Sequence, residues 1–199
     1  MTRRAWPAAG VAASAVLAGA AALGQGPLQF SITLPETENW TQVTDLAAGQ
    51  AFSKEWVPQG ETIENASWLI AQQRLAVGAR ETAADFLEMI NELSEDTCTS
   101  ATHDAPERSR IGDVRGVIGR TICAQRVDGP YGTFTDRAVV VENGFAYVVT
   151  SEIRIPPMVV AGVLSFGRSD SDGTPSAARE FMEREERSRS FVRERIALE

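Results

Sequence analysis

The sequence predicts an α+β fold in which a mainly antiparallel sheet of about six to seven strands packs against two main helices. Several segments alternate apolar and polar side chains, which is typical of strands with one buried face. The connections between these segments are too short for the crossovers that parallel strands require, so antiparallel pairing is expected. One segment instead has apolar residues three and four positions apart, which indicates an amphipathic helix. Capping residues near the C-terminus predict the second helix.

Four strands are predicted in the N-terminal half of the chain. They cover residues 30–34, 40–45, 51–57 and 68–77. Pro35 ends the first strand, and Gly49 marks the turn between the second and the third. The third strand is followed by a turn around Pro58 and Gly60, and the fourth ends at Gly78.

The first helix is predicted to begin after Thr82 and to end near Glu95. Thr82 and Asp85 resemble a capping box, with aspartate in the place of glutamate. The apolar side of this helix carries Phe86, Leu87, Ile90 and Leu93. Residues 99–112 are polar and contain Pro106, so a loop is predicted there.

Three further strands are predicted at residues 116–127, 133–141 and 145–155. Asn143-Gly144, between the last two, is a strong hairpin signal. Residues 168–174 are polar and are predicted to be a flexible link. Thr174-Pro175 then provides an N-cap followed by proline at the first helical position. The final helix is predicted over residues 175–197, and its apolar side carries Phe181, Phe191, Val192 and Ile196.

The N-terminus has the layout of a secretory signal peptide. Arg3 and Arg4 precede an apolar segment without charges, and small residues at Ala22 and Gly24 suit cleavage before Gln25. Residues 1–24 are therefore predicted to be a signal peptide and residues 25–199 a single α+β domain. The predicted location is the periplasm or the exterior of a bacterial cell. The alternative is an uncleaved membrane anchor, because about eighteen apolar residues are the lower limit for a transmembrane helix.

The charge of the chain restricts its partners. The formal net charge is −8, and loss of Arg3 and Arg4 with the signal peptide would change it to −10. An acidic surface argues against binding to nucleic acid or to anionic lipid headgroups. No stable membrane insertion is expected after cleavage of the signal peptide.

Cys98 and Cys123 are the two cysteines of the sequence. In an oxidising compartment such a pair is usually a structural disulfide, which would contribute about 3 kcal/mol in the chain-entropy model. The alternative is a redox-active pair, but the Cys-x-x-Cys spacing that lowers a thiol pKa is absent. A structural disulfide is the prediction.

The order of elements resembles that of Mog1/PsbP-like proteins. The resemblance is carried by the opening Phe30-Ser-Ile-Thr-Leu-Pro35, by Trp40, and by Arg189-Ser190-Phe191 in the last helix. It spans residues 28–197 and implies helices packed on a mainly antiparallel sheet. It also implies a function without catalysis, since the members of this fold family include photosystem-assembly proteins, small-GTPase-binding proteins and exported bacterial proteins. Residues 56–68 and the cysteine pair depart from the family pattern.

His103 is the single histidine and lies in a polar segment next to Asp104. A Ser-His-Asp hydrolase would have to use this residue, but the sequence lacks a Gly-x-Ser-x-Gly motif, and adjacent His and Asp side chains do not readily orient one another. One histidine and two paired cysteines do not supply the familiar zinc ligand sets. The sequence therefore predicts no cofactor and no metal site. An envelope hydrolase that uses the His103 segment is kept as the alternative function.

The best candidate for a binding site is the segment 52–68, FSKEWVPQGETIENASW. In a strand over residues 51–57, Lys54 and Trp56 share one face and Glu55 lies on the other. Two interpretations are open: the tryptophans belong to the core, or Lys54, Glu55, Trp56 and Trp68 surround an exposed groove. Such a groove would bind an envelope protein or a small amphipathic ligand. The predicted function is a non-catalytic periplasmic binding or assembly module.

Overall fold

The computed structural model describes residues 27–156 and 176–198, with side chains in the second range described from residue 183 onward. The predicted signal peptide, the polar link at 168–174, the Thr174-Pro175 cap and the side chain of Phe181 lie outside the described residues. In the two described ranges, no helix is both long enough and apolar enough to cross a membrane.

The described part of the chain forms ten strands and two helices. The strands are β1 (Phe30–Ile32), β2 (Trp40–Ala48), β3 (Ala51–Pro58), β4 (Trp68–Ala76), β5 (Ala101–His103), β6 (Glu107–Ile111), β7 (Val114–Cys123), β8 (Gly132–Glu142), β9 (Phe145–Ile155) and β10 (Ile196–Leu198). The helices are α1 (Ala83–Glu95) and α2 (Ser176–Glu194). The predicted α+β class is confirmed.

The main sheet has eight strands, more than the six to seven that the sequence predicted. Its order is β2-β3-β4-β9-β8-β7, and β5 and β6 lie one after the other along the outer edge of β7. All pairings between the described strands are antiparallel. Strands β1 and β10 form a separate two-stranded sheet.

Two local signals in the sequence form the structures that they predicted. The backbone of Asn143 has φ 53° and that of Gly144 has φ 79°. Positive φ at both central residues is the type I′ turn, whose twist suits a two-residue hairpin between β8 and β9. Thr82 and Asp85 form the predicted capping box, in which each side chain accepts a hydrogen bond from the other residue's backbone N–H.

The predicted loop at residues 99–112 is wrong, because most of this segment forms β5 and β6. Both strands lie at the edge of the sheet, where one side of the backbone and many side chains face water. A polar sequence is compatible with such strands, so the lack of apolar residues did not exclude them. Pro106 lies between the two strands, where its missing N–H removes no ladder hydrogen bond.

The predicted C-terminal helix is too long, because α2 ends at Glu194 and Ile196–Leu198 form β10. Ile196 and Leu198 are buried and Ala197 is exposed, so the side chains alternate as in a strand. β10 pairs with β1, with Phe30 opposite Leu198. The first predicted strand therefore belongs to a small sheet of its own rather than to the main sheet.

The two helices cover opposite faces of the main sheet, which we name the α1 face and the α2 face. On the α1 face, the core consists of Phe86, Leu87, Val117, Val139, Ala146 and Val148. Gly119 permits this close approach, since a Cβ there would lie 2.6 Å from Leu87 Cδ2. The larger core on the α2 face includes Trp68, Ile70, Phe134, Tyr147, Val149, Phe191 and Val192, together with Ile196 and Leu198 of β10.

A polar network fixes α2 to its face of the sheet. Arg120 donates from Nε to Asp136 Oδ1 at 2.8 Å and from Nη2 to Oδ2 at 3.0 Å, and it also pairs with Glu185 of α2. Burial lowers the pKa of Arg120, but the hydrogen bonds and charges of Asp136 and Glu185 outweigh this and hold it above its usual value. Arg120 therefore stays charged beneath the helix.

The network continues through a chain of hydroxyl groups. A carboxylate only accepts hydrogen bonds, so Ser188 donates its single proton to Asp136 Oδ2 at 2.7 Å. Ser188 Oγ then accepts from Ser151 at 2.8 Å, and Ser151 accepts from Trp68 Nε1–H at 2.8 Å. The hydrogen bonds from Trp68 of β4 to the Asp136 carboxylate thus all run in one direction, and hydrogen bonds in such a series polarise one another.

Cys98 and Cys123 form the predicted disulfide, with a Cα–Cα distance of 5.6 Å. Cys98 follows the C-terminus of α1, and Cys123 is the last residue of β7. The disulfide therefore links the end of the helix to the edge region of the sheet.

Replacing both cysteines by serine is expected to lower the free energy of unfolding by about 2–5 kcal/mol, as for native disulfides of small secreted domains. Chemical denaturation measures this loss, and reduced wild-type protein serves as the control because it should behave like the variant. Two titratable thiols in the native, oxidised protein would contradict the prediction.

Asp136→Ala is expected to cost about 3–5 kcal/mol, because it leaves the buried Arg120 without its main partner. The matched control is Asp128→Ala, which removes the partner of Arg126 from a pair whose Asp128 side chain is 52% exposed. The control should cost about 0–1 kcal/mol. Equal losses in the two variants, measured by urea denaturation, would show that the network beneath α2 is not important for stability.

Candidate functional site

The four candidate binding residues do not gather at one surface. Lys54 and Trp56 lie on the α2 face of β3, and Glu55 lies on the α1 face, where its Oε2 accepts a hydrogen bond from Thr44 Oγ1 at 2.6 Å. Trp68 is only 2% exposed and donates to Ser151 within the core. Trp68 therefore lies in the core, as in the first of the two interpretations of this segment.

The loop between β3 and β4 is held together by hydrogen bonds to its own side chains. Glu61 accepts hydrogen bonds from the backbone N–H of Ser67 at 2.6 Å and from its hydroxyl at 2.8 Å. Asn65 Oδ1 accepts from the Thr62 N–H at 2.6 Å, and Ala66 is buried. These contacts hold the loop as a compact turn. Lys54, Glu55 and Trp56 are half-buried, and their binding role stays a prediction.

A second group of side chains lies beside Lys54 and was not singled out from the sequence. We name it the aromatic–cation cluster, and it consists of Phe30, Phe52, Lys54, Arg74, Phe145 and Tyr147. The residues from β3, β4 and β9 meet because the strand register places Phe52 opposite Arg74 and Arg74 opposite Tyr147. All except Tyr147 are half-buried, so the cluster reaches the surface.

Arg74 is the centre of the aromatic–cation cluster. Its guanidinium carbon lies 5.0 Å from the ring centre of Phe52 and 5.7 Å from that of Phe145. Its Nε donates to the carbonyl of Gln50 at 2.5 Å, which holds the guanidinium between the two rings. Lys54 Nζ lies 5.9 Å from the Phe52 ring. All three distances are within the range of cation–π contacts.

Tyr147 anchors the cluster from below. Its ring makes an edge contact with Phe30 at 5.5 Å between ring centres, and its oxygen accepts a hydrogen bond from the Leu28 N–H at 2.7 Å. Burial raises the pKa of Tyr147, and the bond from Leu28 opposes this shift only in part. The phenol is therefore neutral at physiological pH and serves as a structural group.

The cluster presents aromatic faces and two cations on one accessible surface. Aromatic side chains and arginine are the residue types that contribute most to binding at protein interfaces. The cluster is therefore a candidate surface for recognition.

His103 lies on the other side of the molecule, beneath the C-terminal end of α1. Thr121 donates its hydroxyl proton to Asn91 Oδ1 at 3.1 Å and accepts from Arg137 Nη1 at 2.9 Å. His103 Nδ1 lies 3.1 Å from the same hydroxyl oxygen, so it is the donor in that contact. His103 Nε2 lies 3.3 Å from Glu95 Oε1, close enough for an ion pair but not aligned as a hydrogen bond.

Arg137 is the positively charged side chain in contact with Thr121, close to His103. It donates to the hydroxyl groups of Thr121 and Ser94, and no carboxylate of the described chain lies within 4.0 Å of it. Burial lowers the pKa of Arg137 to about 10, and the more distant charges of Glu152 and Asp136 oppose this shift. Arg137 remains protonated at neutral pH and orders the hydroxyl groups around it.

This geometry offers little to the hydrolase alternative. Thr121 is the hydroxyl in contact with His103 Nδ1, but it is 2% exposed, and its proton goes to Asn91. A general base must accept the proton of the nucleophile, whereas His103 Nδ1 donates to Thr121. The hydrolase stays an alternative prediction.

Comparison with known proteins shows a distant structural likeness. Neither a known protein family nor a characterised protein matches the sequence. Among solved structures, the chain is similar to LpqN, described as involved in cell envelope biogenesis of Mycobacterium tuberculosis. The two sequences are 8% identical, the alignment covers 88% of this chain and 86% of LpqN, and the TM-score is 0.42. A likeness this distant supports no argument about function, and the Mog1/PsbP-like resemblance stays a prediction.

Proposed function

We propose that the protein is an exported, non-catalytic binding or assembly module of the bacterial cell envelope. The observation that carries this proposal is the aromatic–cation cluster, in which three half-buried rings and two cations reach one surface beside Trp56. Its ligand is an envelope protein or a small amphipathic molecule, because the rings bind apolar groups and the cations bind electron-rich groups such as carbonyl oxygens.

The disulfide supports the proposed location. Structural disulfides persist in the periplasm and outside the cell and are rare in the cytosol. The disulfide between Cys98 and Cys123 therefore agrees with the sequence features of an exported protein. The proposed signal peptide and its cleavage before Gln25 account for how the chain reaches that compartment.

The proposed function is tested by capture of partners from the native envelope with the full exported protein as bait. Phe52→Ala is expected to reduce the amount of captured partner by at least about tenfold, because a central aromatic contact is lost. Quantitative mass spectrometry compares the variant with the wild type. The matched control is Leu93→Ala, which shortens an apolar side chain of α1 that is 56% exposed at the other face of the sheet.

Capture that is unaffected by Phe52→Ala would exclude the cluster as the binding surface. Capture that falls equally in Leu93→Ala would show that the loss is not specific to the cluster. Circular dichroism of each variant confirms that the fold is intact.

The hydrolase alternative makes a different prediction for His103→Ala. Under the proposed function, this variant captures partners as the wild type does. Under the alternative, the wild type hydrolyses a generic ester such as p-nitrophenyl acetate faster than denatured protein does, and His103→Ala loses that activity. Catalysed hydrolysis that disappears in His103→Ala would overturn the non-catalytic part of the proposal.

A further inference from the structure

The two edges of the main sheet differ in how far they are open to another strand. At one edge, β5 and β6 have three and five residues, and Pro106 separates them. Arg108 and Arg110 of β6 are exposed. Short strands, proline and charged side chains are the features by which proteins block edge-to-edge pairing. This edge is therefore protected.

The edge formed by β2 is long and largely unprotected. β2 has nine residues, and no other described strand pairs with its outer side. A register shift between Gln42 and Thr44 interrupts its first part, where the Gln42 amide donates to the Thr44 carbonyl. Residues 44–48 then pair with β3 without interruption. This stretch, TDLAA, contains neither proline nor lysine, and its one charged residue is Asp45, so an incoming strand with a cation opposite Asp45 can approach its backbone.

The side chains of this stretch specify a partner of particular chemistry. Asp45 is exposed and lies on the α2 face of the edge, and Leu46 is 65% exposed and lies on the α1 face. In an added strand, the residue opposite Asp45 is best cationic and its neighbour opposite Leu46 is best apolar, because opposite charges and apolar pairs stabilise cross-strand contacts. The acidic net charge of the chain, −8, favours the same kind of partner.

The open edge is continuous with the aromatic–cation cluster. Ala47 of β2 lies opposite Phe52 of β3 on the α2 face. Alanine has no atoms beyond Cβ, so a long side chain of the added strand can pass over Ala47 toward the Phe52 ring. Asp45 lies opposite Lys54 in the same way, which places the edge and the cluster on one surface.

We propose that the protein binds its partner by strand addition, in which an extended segment with alternating basic and apolar residues pairs with residues 44–48 of β2. This inference rests on the proposed binding function and names the mode of binding. Main-chain hydrogen bonds to the open edge supply affinity, and the side chains opposite Asp45 and Leu46 supply specificity.

A second copy of the chain fits this edge less well. Self-pairing of residues 44–48 about Leu46 places Asp45 opposite Ala47 and supplies no cation. It also brings together two chains that each carry a net charge of −8. A partner of opposite charge is therefore favoured over a homodimer.

The test uses the full exported protein and three synthetic nine-residue peptides. The first alternates valine and arginine, the second is identical but N-methylated at every second amide, and the third alternates valine and glutamate. N-methylation keeps the charge and removes the main-chain donors along one edge. Isothermal titration measures affinity, and hydrogen exchange reports which amides become protected.

The expected result is that the unmodified basic peptide binds and protects the β2 amides that do not pair with β3. Asp45→Lys should weaken its binding by about fivefold or more, since an attractive cross-strand pair becomes repulsive. The matched control is Asp113→Lys, which makes the same charge change in the turn between β6 and β7, where Asp113 is 97% exposed. The control should bind as the wild type does.

Several results would overturn strand addition. These are equal binding of the N-methylated peptide, equal binding of the acidic peptide, protection outside β2, equal weakening in Asp113→Lys, and a dimer through β2 in sedimentation. One combination of results would reject strand addition but support the proposed function. In that case envelope capture is lost in Phe52→Ala and retained in Asp45→Lys, and no peptide binds to β2. Loss of capture in Asp45→Lys, together with protection of β2, supports both.

Discussion

The buried ion pair between Arg120 and Asp136 is the interaction on which the α2 side of the structure depends. Apolar contacts are compatible with many positions of a helix on a sheet. The guanidinium of Arg120 and the carboxylate of Asp136 beneath α2 must instead meet in one geometry. Ser188 of α2 also donates a hydrogen bond to Asp136. This contact restrains the helix along its axis as well as sideways. Strand β10 follows α2 directly and pairs with β1, so the place of the helix also limits where β10 can lie.

Much of the fold could be predicted from local patterns, and the errors share one physical cause. The Thr82 cap, the Asn143-Gly144 turn and the alternation along β9 depend on neighbours in the sequence, and all of them form. Strand β10 depends on β1, far away along the chain, whereas β5 and β6 pair with β7 at the edge of the sheet. Their sequences are polar or short, because an edge strand buries little, and the helical pattern before Ile196 hid the change to a strand.

The candidate site was predictable only in part. Lys54 and Trp56 were recognised because they are near neighbours on one face of β3. Arg74 and Phe145 were not, because the register of β3, β4 and β9 brings them to Phe52 and no local pattern contains that register. Trp68 could not be assigned to core or surface from the sequence, since its hydrogen bond to Ser151 joins β4 to β9.

The pairing of β1 with β10 determines the order in which the domain can be completed. Hairpin β8–β9 closes across two residues and costs little loop entropy, whereas Phe30 meets Leu198 only after nearly the whole domain has been traversed. Three residue pairs cannot offset that cost alone, so we expect the small sheet to form last, on a main sheet that already exists. The segment that carries Phe30 is then the final part of the aromatic–cation cluster to arrive, so the cluster is completed only when the two ends of the domain have paired.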